Sequence, residues 1–230
     1  MNGEEAWRER VRRGLAQVRG RLVSACEQAR RDPRAIRLVA VSKVHPPAAV
    51  RAAYAEGQRD FGENYVQEMS AKAEALSDLT ELRWRFVGHL QRNKARDVVR
   101  LGAAVETVDS SRLADAIDRR AAQEGRRLEV LIQVNVGGEA QKAGCAPDQV
   151  PALVAHVRGL DGLDLRGLMT VPPHTDDPEG ARPFFRRLRE LRDAHGLRDL
   201  SMGMTHDLEI AVQEGATIVR VGTAIFGKRS

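Results

Sequence analysis

The sequence predicts a single closed (β/α)8 TIM-type barrel with an extra N-terminal helix, residues 1–230 forming one domain. Three observations carry that prediction. Eight short β-rich runs alternate with helical segments, the pattern of parallel strands joined by crossover helices. The alternation fills a chain of 230 residues from end to end. No stretch rich in Pro, Gly or Ser separates two halves, so two small domains fit less well. An open doubly wound sheet is the competing arrangement.

The chain opens with a helix. Trp7, Val11, Leu15, Val18, Leu22, Cys26 and Ala29 recur at steps of three and four, leaving Arg and Glu on the other face. Asp32-Pro33 stops it. Residues 37–42 are the first strand, and Pro46-Pro47 opens a helix that Gly57 closes. Residues 60–62 hold one large apolar residue, Phe61, and are assigned as the second strand from their place in the alternation. Residues 84–88 and 104–108 are the third and fourth strands, after which Ser110 or Ser111 caps a helix ending near Gly125. Residues 128–135 and 163–170 are the fifth and sixth strands. Asp177 then precedes Pro178-Glu179 and a helix that ends by Gly196. Residues 199–203 are the seventh strand, Asp207 caps a helix over 208–214, and residues 218–222 are the eighth strand. The last seven residues, 224–230, are too few for a final outer helix, so the N-terminal helix is the candidate to cover part of the barrel wall or floor.

Composition narrows the function classes. The N-terminus carries charges where a secretory signal needs an apolar run, and no apolar stretch approaches the ~20 residues of a membrane span. A cytoplasmic protein that does not span a membrane is expected. Cys26 and Cys145 offer neither a disulfide framework nor a metal spacing, and the six histidines are dispersed, so no metal is expected. The net charge of +5 raises nucleic acid as a partner. Against it, the arginines are scattered among acids and aromatics make up only 4%, leaving little to stack bases.

Barrel chemistry belongs at the C-terminal ends of the strands, where the loops converge. The first strand runs apolar and stops at Lys43, between Val41 and Val44. Partial desolvation by such neighbours favours a neutral lysine amine, the form that attacks an aldehyde to give a Schiff base. A lysine snorkelling out of a strand end is the alternative. Asn64 suits a ring oxygen or a phosphate, or a helix N-cap. His89 lacks a second ligand at metal spacing. Gln133, Asn135, Glu139, Lys142 and Gly144 form either a lid or a plain solvated loop. After strands seven and eight, the hydroxyls of Ser201, Thr205 and Thr223 and the glycines Gly203 and Gly222 suit a phosphate dianion, the usual cargo of that corner of a barrel. Turn-forming preference is the competing explanation.

At these residues the chain resembles the pyridoxal phosphate homeostasis protein family. The resemblance rests on Leu38-Val-Ala-Val-Ser-Lys43, Phe61-Gly-Glu-Asn-Tyr-Val-Gln-Glu68, Gly88-His-Leu-Gln-Arg-Asn-Lys94, Leu200-Ser-Met-Gly-Met204 and Val219-Arg-Val-Gly-Thr-Ala-Ile-Phe-Gly227, in order from about residue 7 to residue 229. It implies a barrel similar to the N-terminal domain of alanine racemase, binding pyridoxal 5′-phosphate (PLP) with Lys43 as the Schiff-base lysine. It also implies Arg220 at the pyridine nitrogen, with Ser201, Thr205, Gly222 and Thr223 at the phosphate. Asn64 and His89 lie near the ring on this reading, and Gly203 and Met204 join the cofactor-binding set through their motif. Thr205 stands where the family usually has serine, and His206 where a small or acidic residue is expected.

The same resemblance implies a role in intracellular vitamin B6 balance, holding PLP without robust turnover and with PLP-dependent apoenzymes as recipients. No catalytic residue is assigned. Arginine cannot accept the ring nitrogen's proton, so it leaves the ring a poorer electron sink, although alanine racemase shares that arrangement. Alanine racemase draws a tyrosine base from a separate β-domain, and this sequence stops at Ser230 without one. The alternatives are a monodomain PLP-dependent racemase, with Tyr65 as a conceivable base, and a Schiff-base aldolase. A monomer is expected, because half of the racemase dimer interface is missing.

Overall fold

All eight predicted runs form strands, and they close into one parallel barrel in sequence order. The strands are β1 (Arg37–Val41), β2 (Asp60–Glu63), β3 (Arg83–Phe86), β4 (Ala104–Val108), β5 (Leu128–Gln133), β6 (Leu163–Met169), β7 (Asp199–Ser201) and β8 (Ile218–Val221). The helices are α1 (Gly3–Gln28), α2 (Pro47–Ala55), α3 (Val66–Ala75), α4 (Ala95–Arg100), α5 (Ser111–Gln123), α6 (Val150–Arg158), α7 (Arg182–Ala194), α8 (Leu208–Gln213) and α9 (Thr223–Phe226). The computed structural model describes residues 3–228. Met1, Asn2, Arg229 and Ser230, included in the single-domain expectation, lie outside the described residues.

The weakest predicted strand shows how context decides. β2 has one large apolar side chain, yet all four of its residues are buried. Phe61 packs beside Trp84, and Asp60 is held by Arg83 at 2.7 Å. The strand exists because β1 and β3 flank it in parallel register, with Ala40 opposite Phe61 and Phe61 opposite Trp84.

Barrel closure falls between β1 and β8, where Val39 faces Arg220. Inside, Val39, Leu131, Met169 and Ile218 form an apolar layer. Charged side chains share this interior: Arg85, Glu106 and Arg220 are all buried. Outside, α1 turns Val11, Leu15, Val18, Leu22 and Cys26 inward, the stripe its spacing predicts. Each such burial contributes about 1.5–3 kcal/mol for a Val- or Leu-sized side chain.

This N-terminal helix packs against α2, α8 and α9, so it covers the wall at the closure seam. Gly14 permits the close crossing, since a Cβ there would come within 2.5 Å of the Ala224 carbonyl. Among the described residues, the segment after β8 makes the single turn α9. Ser110 caps α5 as expected, its hydroxyl accepting from the Leu113 N–H at 3.4 Å. Asp207 does not cap α8 through its side chain. Its carboxylate instead accepts the Met204 N–H at 2.7 Å, tying down the loop that leaves β7.

Candidate functional site

Lys43, Asn64, Met204, Thr205, Arg220, Gly222 and Thr223 meet around one cavity of about 420 Å³ at the C-terminal mouth of the barrel. Val41, His45, Val87, Val171, His206 and Gly227 complete its lining. The volume lies within the range of small-molecule sites.

The Lys43 wall is a tight turn. The Ser42 carbonyl accepts the His45 N–H at 3.0 Å, with Lys43 and Val44 as the central residues. Val44 has φ +61 and is 53% exposed, so it does not shield the lysine as its sequence position suggested. Val41 alone of the two flanking valines faces the cavity. Behind the turn lies a buried polar cluster. Lys72 donates to the Ser42 carbonyl at 2.7 Å, to Glu63 at 2.6 Å and to Glu68 at 2.7 Å. The Ser42 hydroxyl donates to Glu63, and Glu68 accepts the Val44 N–H, each at 2.6 Å. Asn64 lies on the cavity and is not the cap of α3, a position that falls to Tyr65.

Arg220 lies at the floor, its guanidinium anchored by β7 and by the residue that follows β6. Nη1 donates to the Ser201 hydroxyl at 2.5 Å and Nη2 to the Thr170 carbonyl at 2.7 Å. The Ser201 hydroxyl donates to Glu106, whose other oxygen accepts from Arg85; Arg85 also reaches Glu129 at 2.6 Å. Burial pulls the Arg220 pKa below its ordinary value, against the pull of Glu106. For Arg85, burial acts in the same downward direction, but the carboxylates of Glu106 and Glu129 outweigh it and hold the pKa above the usual value. Ser201 therefore departs from the expectation that it would hold phosphate. It is fully buried beneath the cavity and orients Arg220.

Thr205, Gly222 and Thr223 also line the cavity. The N–H groups that open a helical turn, as Thr223 opens α9, have no carbonyl four residues back and can bind an anion. Arg21 of α1 braces this side by donating to the Thr205 carbonyl at 2.8 Å while pairing with Glu209 at 2.6 Å. Gly203 does not line the cavity. It sits at φ +93, and a Cβ there would come 2.4 Å from that of Ala211, so its part is to let α8 pack closely.

His89 also falls outside the cavity. Its side chain is 64% exposed and lies 3.7 Å from Asp109. It separates a small hollow containing Asn64, Tyr65 and Lys94 from a groove of about 780 Å³ along α5. That groove is the larger concavity but holds no Lys43, Arg220 or threonine hydroxyl; the convergence of reactive groups, rather than size, marks the site. In the loop after β5, Lys142 donates to the Pro172 carbonyl and pairs with Glu139, Asn135 bonds the Glu139 carbonyl, and Gln133 bonds the Ala143 carbonyl. These polar groups are committed to the loop and its neighbour. Among the described residues no group of three side chains is placed to hold a metal ion. Sequence reasoning missed His45, which packs edge-on to Trp7 and tilted against Phe226, and the whole Glu63–Glu68–Lys72 cluster.

The donor set fits PLP. An amine, a buried guanidinium, and two hydroxyls beside a helical turn suit an aldehyde, a pyridine nitrogen and a phosphate respectively. Fold and site together define a barrel of the alanine racemase class, and the family profile described as "Alanine racemase, N-terminal domain" matches residues 19–230. Within that class, the chain belongs to the pyridoxal phosphate homeostasis protein family. It is 44% identical to the pyridoxal phosphate homeostasis protein of Aquifex aeolicus over 94% of this chain and 96% of that one. It is 47% identical to the Pseudomonas aeruginosa protein of the same name, over 95% and 96% of the two chains. Among solved structures, PipY of Synechococcus elongatus with PLP bound superposes with a TM-score of 0.81 at 39% identity, covering 91% of this chain and all of PipY (100%).

Proposed function

We propose that this protein binds PLP, holds it as a Schiff base through Lys43, and takes part in intracellular vitamin B6 homeostasis without robust catalytic turnover. The observation that carries the reading is the single cavity on which Lys43, Arg220, Thr205 and Thr223 converge. Its family membership and the PLP-bound relative support it. When bound, PLP supplies an aldehyde for the lysine and an electron-withdrawing ring.

The residues divide the work. Lys43 provides the covalent anchor, Arg220 donates to the ring nitrogen, and Thr205, Gly222 and Thr223 receive the phosphate. Asn64 and Met204 flank the ring. Since arginine does not give up its proton in this range, the ring nitrogen gains no full positive charge and draws electrons weakly. Neither tyrosine sits on the cavity: Tyr54 stacks on Arg59, and Tyr65 is exposed in the neighbouring hollow. Both features favour holding over turnover. PLP-dependent apoenzymes are the recipients on this reading, and the protein acts as a cytoplasmic monomer. No helix among the described residues is long and apolar enough to cross a membrane.

Equilibrium titration of apo-protein with PLP and with pyridoxal tests the reading. PLP should bind at least ~100-fold more tightly, the worth of several charge-assisted hydrogen bonds to phosphate. Equal affinities would contradict it.

A further inference from the structure

We infer that Glu68 and Lys72 are positioning residues for the cofactor lysine, α3 gripping the two peptide groups on either side of Lys43; the inference rests on the PLP reading above. Lys72 Nζ takes the carbonyl of Ser42, the peptide entering Lys43, at 2.7 Å. Glu68 Oε1 takes the N–H of Val44, the peptide leaving it, at 2.6 Å. The two side chains sit four residues apart and bond each other at 2.7 Å, so one ion pair holds both ends of a single residue.

Two features show that the arrangement is not there for stability alone. Lys72 is 3% exposed and Glu63 is fully buried, with Glu63 Oε2 lacking any hydrogen-bond partner. A buried ion pair is commonly no better for stability than well-packed apolar residues of the same volume. Val44, in turn, is a β-branched residue in the left-handed region, at a turn position that usually takes Gly or Asn. It is 53% exposed, so packing does not offset the strain. Such a conformation persists only where its surroundings impose it. Here the Glu68 bond to the strained residue's own N–H and the Lys72 bond to the Ser42 carbonyl impose it, which fixes where the Lys43 side chain starts.

The test compares Glu68→Ala with Glu68→Gln, because a glutamine oxygen can still accept the Val44 N–H. PLP affinity is read by absorbance titration, and exchange of the Val44 amide by NMR. Glu68→Ala should bind PLP about tenfold more weakly, the loss expected for one hydrogen bond to a charged acceptor, while Glu68→Gln stays within about threefold. The Val44 amide should exchange faster in the alanine variant, with the apo-protein melting temperatures within about 3 °C of each other. The double variant Lys72→Met with Glu63→Gln, which removes the fully buried charge pair together and leaves only the part-exposed Glu68 carboxylate, should weaken PLP binding in the same direction. Wild-type affinity in Glu68→Ala, or equal losses in the alanine and glutamine variants, would overturn the inference. If the wild-type protein fails to bind PLP, the functional reading falls, and Val44 exchange alone decides: faster in alanine than in glutamine supports the grip, no difference removes it.

Discussion

Arg220 donates to the Ser201 hydroxyl at 2.5 Å, and that hydroxyl donates onward to Glu106, so the cation at the floor of the cavity is aimed by a serine that never reaches the cavity itself. Ser201→Ala should cost about 1–3 kcal/mol of stability by leaving Glu106 and Arg220 each one partner short. Chemical denaturation checks this, and PLP should still attach to Lys43.

Glu106 joins the two buried guanidiniums, lying 2.5 Å from Arg85 and 4.0 Å from Arg220. Glu106→Leu should destabilise by about 3–5 kcal/mol, the usual result of removing one partner from buried charges. A melting temperature equal to wild type would show that the arginines find other partners.

The phosphate side has a separable signature. Thr205→Ala and Thr223→Ala should each weaken PLP binding by about three- to tenfold while leaving pyridoxal binding unchanged, since each removes one hydroxyl from the part of the cavity proposed to take the phosphate. Arg21→Ala should act in the same direction through the Thr205 carbonyl it holds, though more weakly. Parallel losses for both ligands would place these residues away from the phosphate.

Glu129 sets a pH dependence. Burial raises its pKa, but Arg85 overrides burial, with Arg37 and Arg166 adding to the pull, and the net direction is downward. A carboxylate with a depressed folded-state pKa contributes stability that is fully present above its unfolded value, about 4.3, and lost as pH falls through the folded value. Urea denaturation between pH 7 and pH 3 should therefore show a steeper acid-side loss in wild type than in Glu129→Gln. An identical slope would contradict the assignment.

Both cysteines should be inert in the native state. Burial pushes the Cys145 thiol up to about 12 and also raises that of Cys26. A thiol-reactive disulfide reagent at pH 8 should label neither until denaturant is added. Rapid labelling of Cys145 in the folded protein would show that its loop opens.

What could be read in the sequence follows from what is local. The strands were legible from alternation, even β2, because a parallel barrel leaves a characteristic gap wherever one is missing. The place of Lys43 at the end of a strand was legible from the apolar run before it, whereas its neighbours on the cavity come from the far end of the chain. The depth of Ser201 was not legible, because layer within a barrel depends on strand stagger, which is set by neighbours rather than by the strand itself. His89 follows a strand at the right position, yet its side chain turns outward to Asp109. Glu68 and Lys72 had the four-residue spacing of an ordinary exposed helix pair. Only the meeting of α3 with the turn that follows β1 buries the lysine and turns the pair toward the Lys43 backbone.

The central claim, that Lys43 holds PLP, is tested most directly by the visible spectrum of the PLP-loaded protein before and after borohydride, followed by peptide mapping. The expected result is a yellow protein whose band is lost on reduction, with the pyridoxyl group on Lys43. A protein that stays colourless after incubation with PLP, or an adduct on Lys72, Lys94, Lys142 or Lys228 instead, would contradict it.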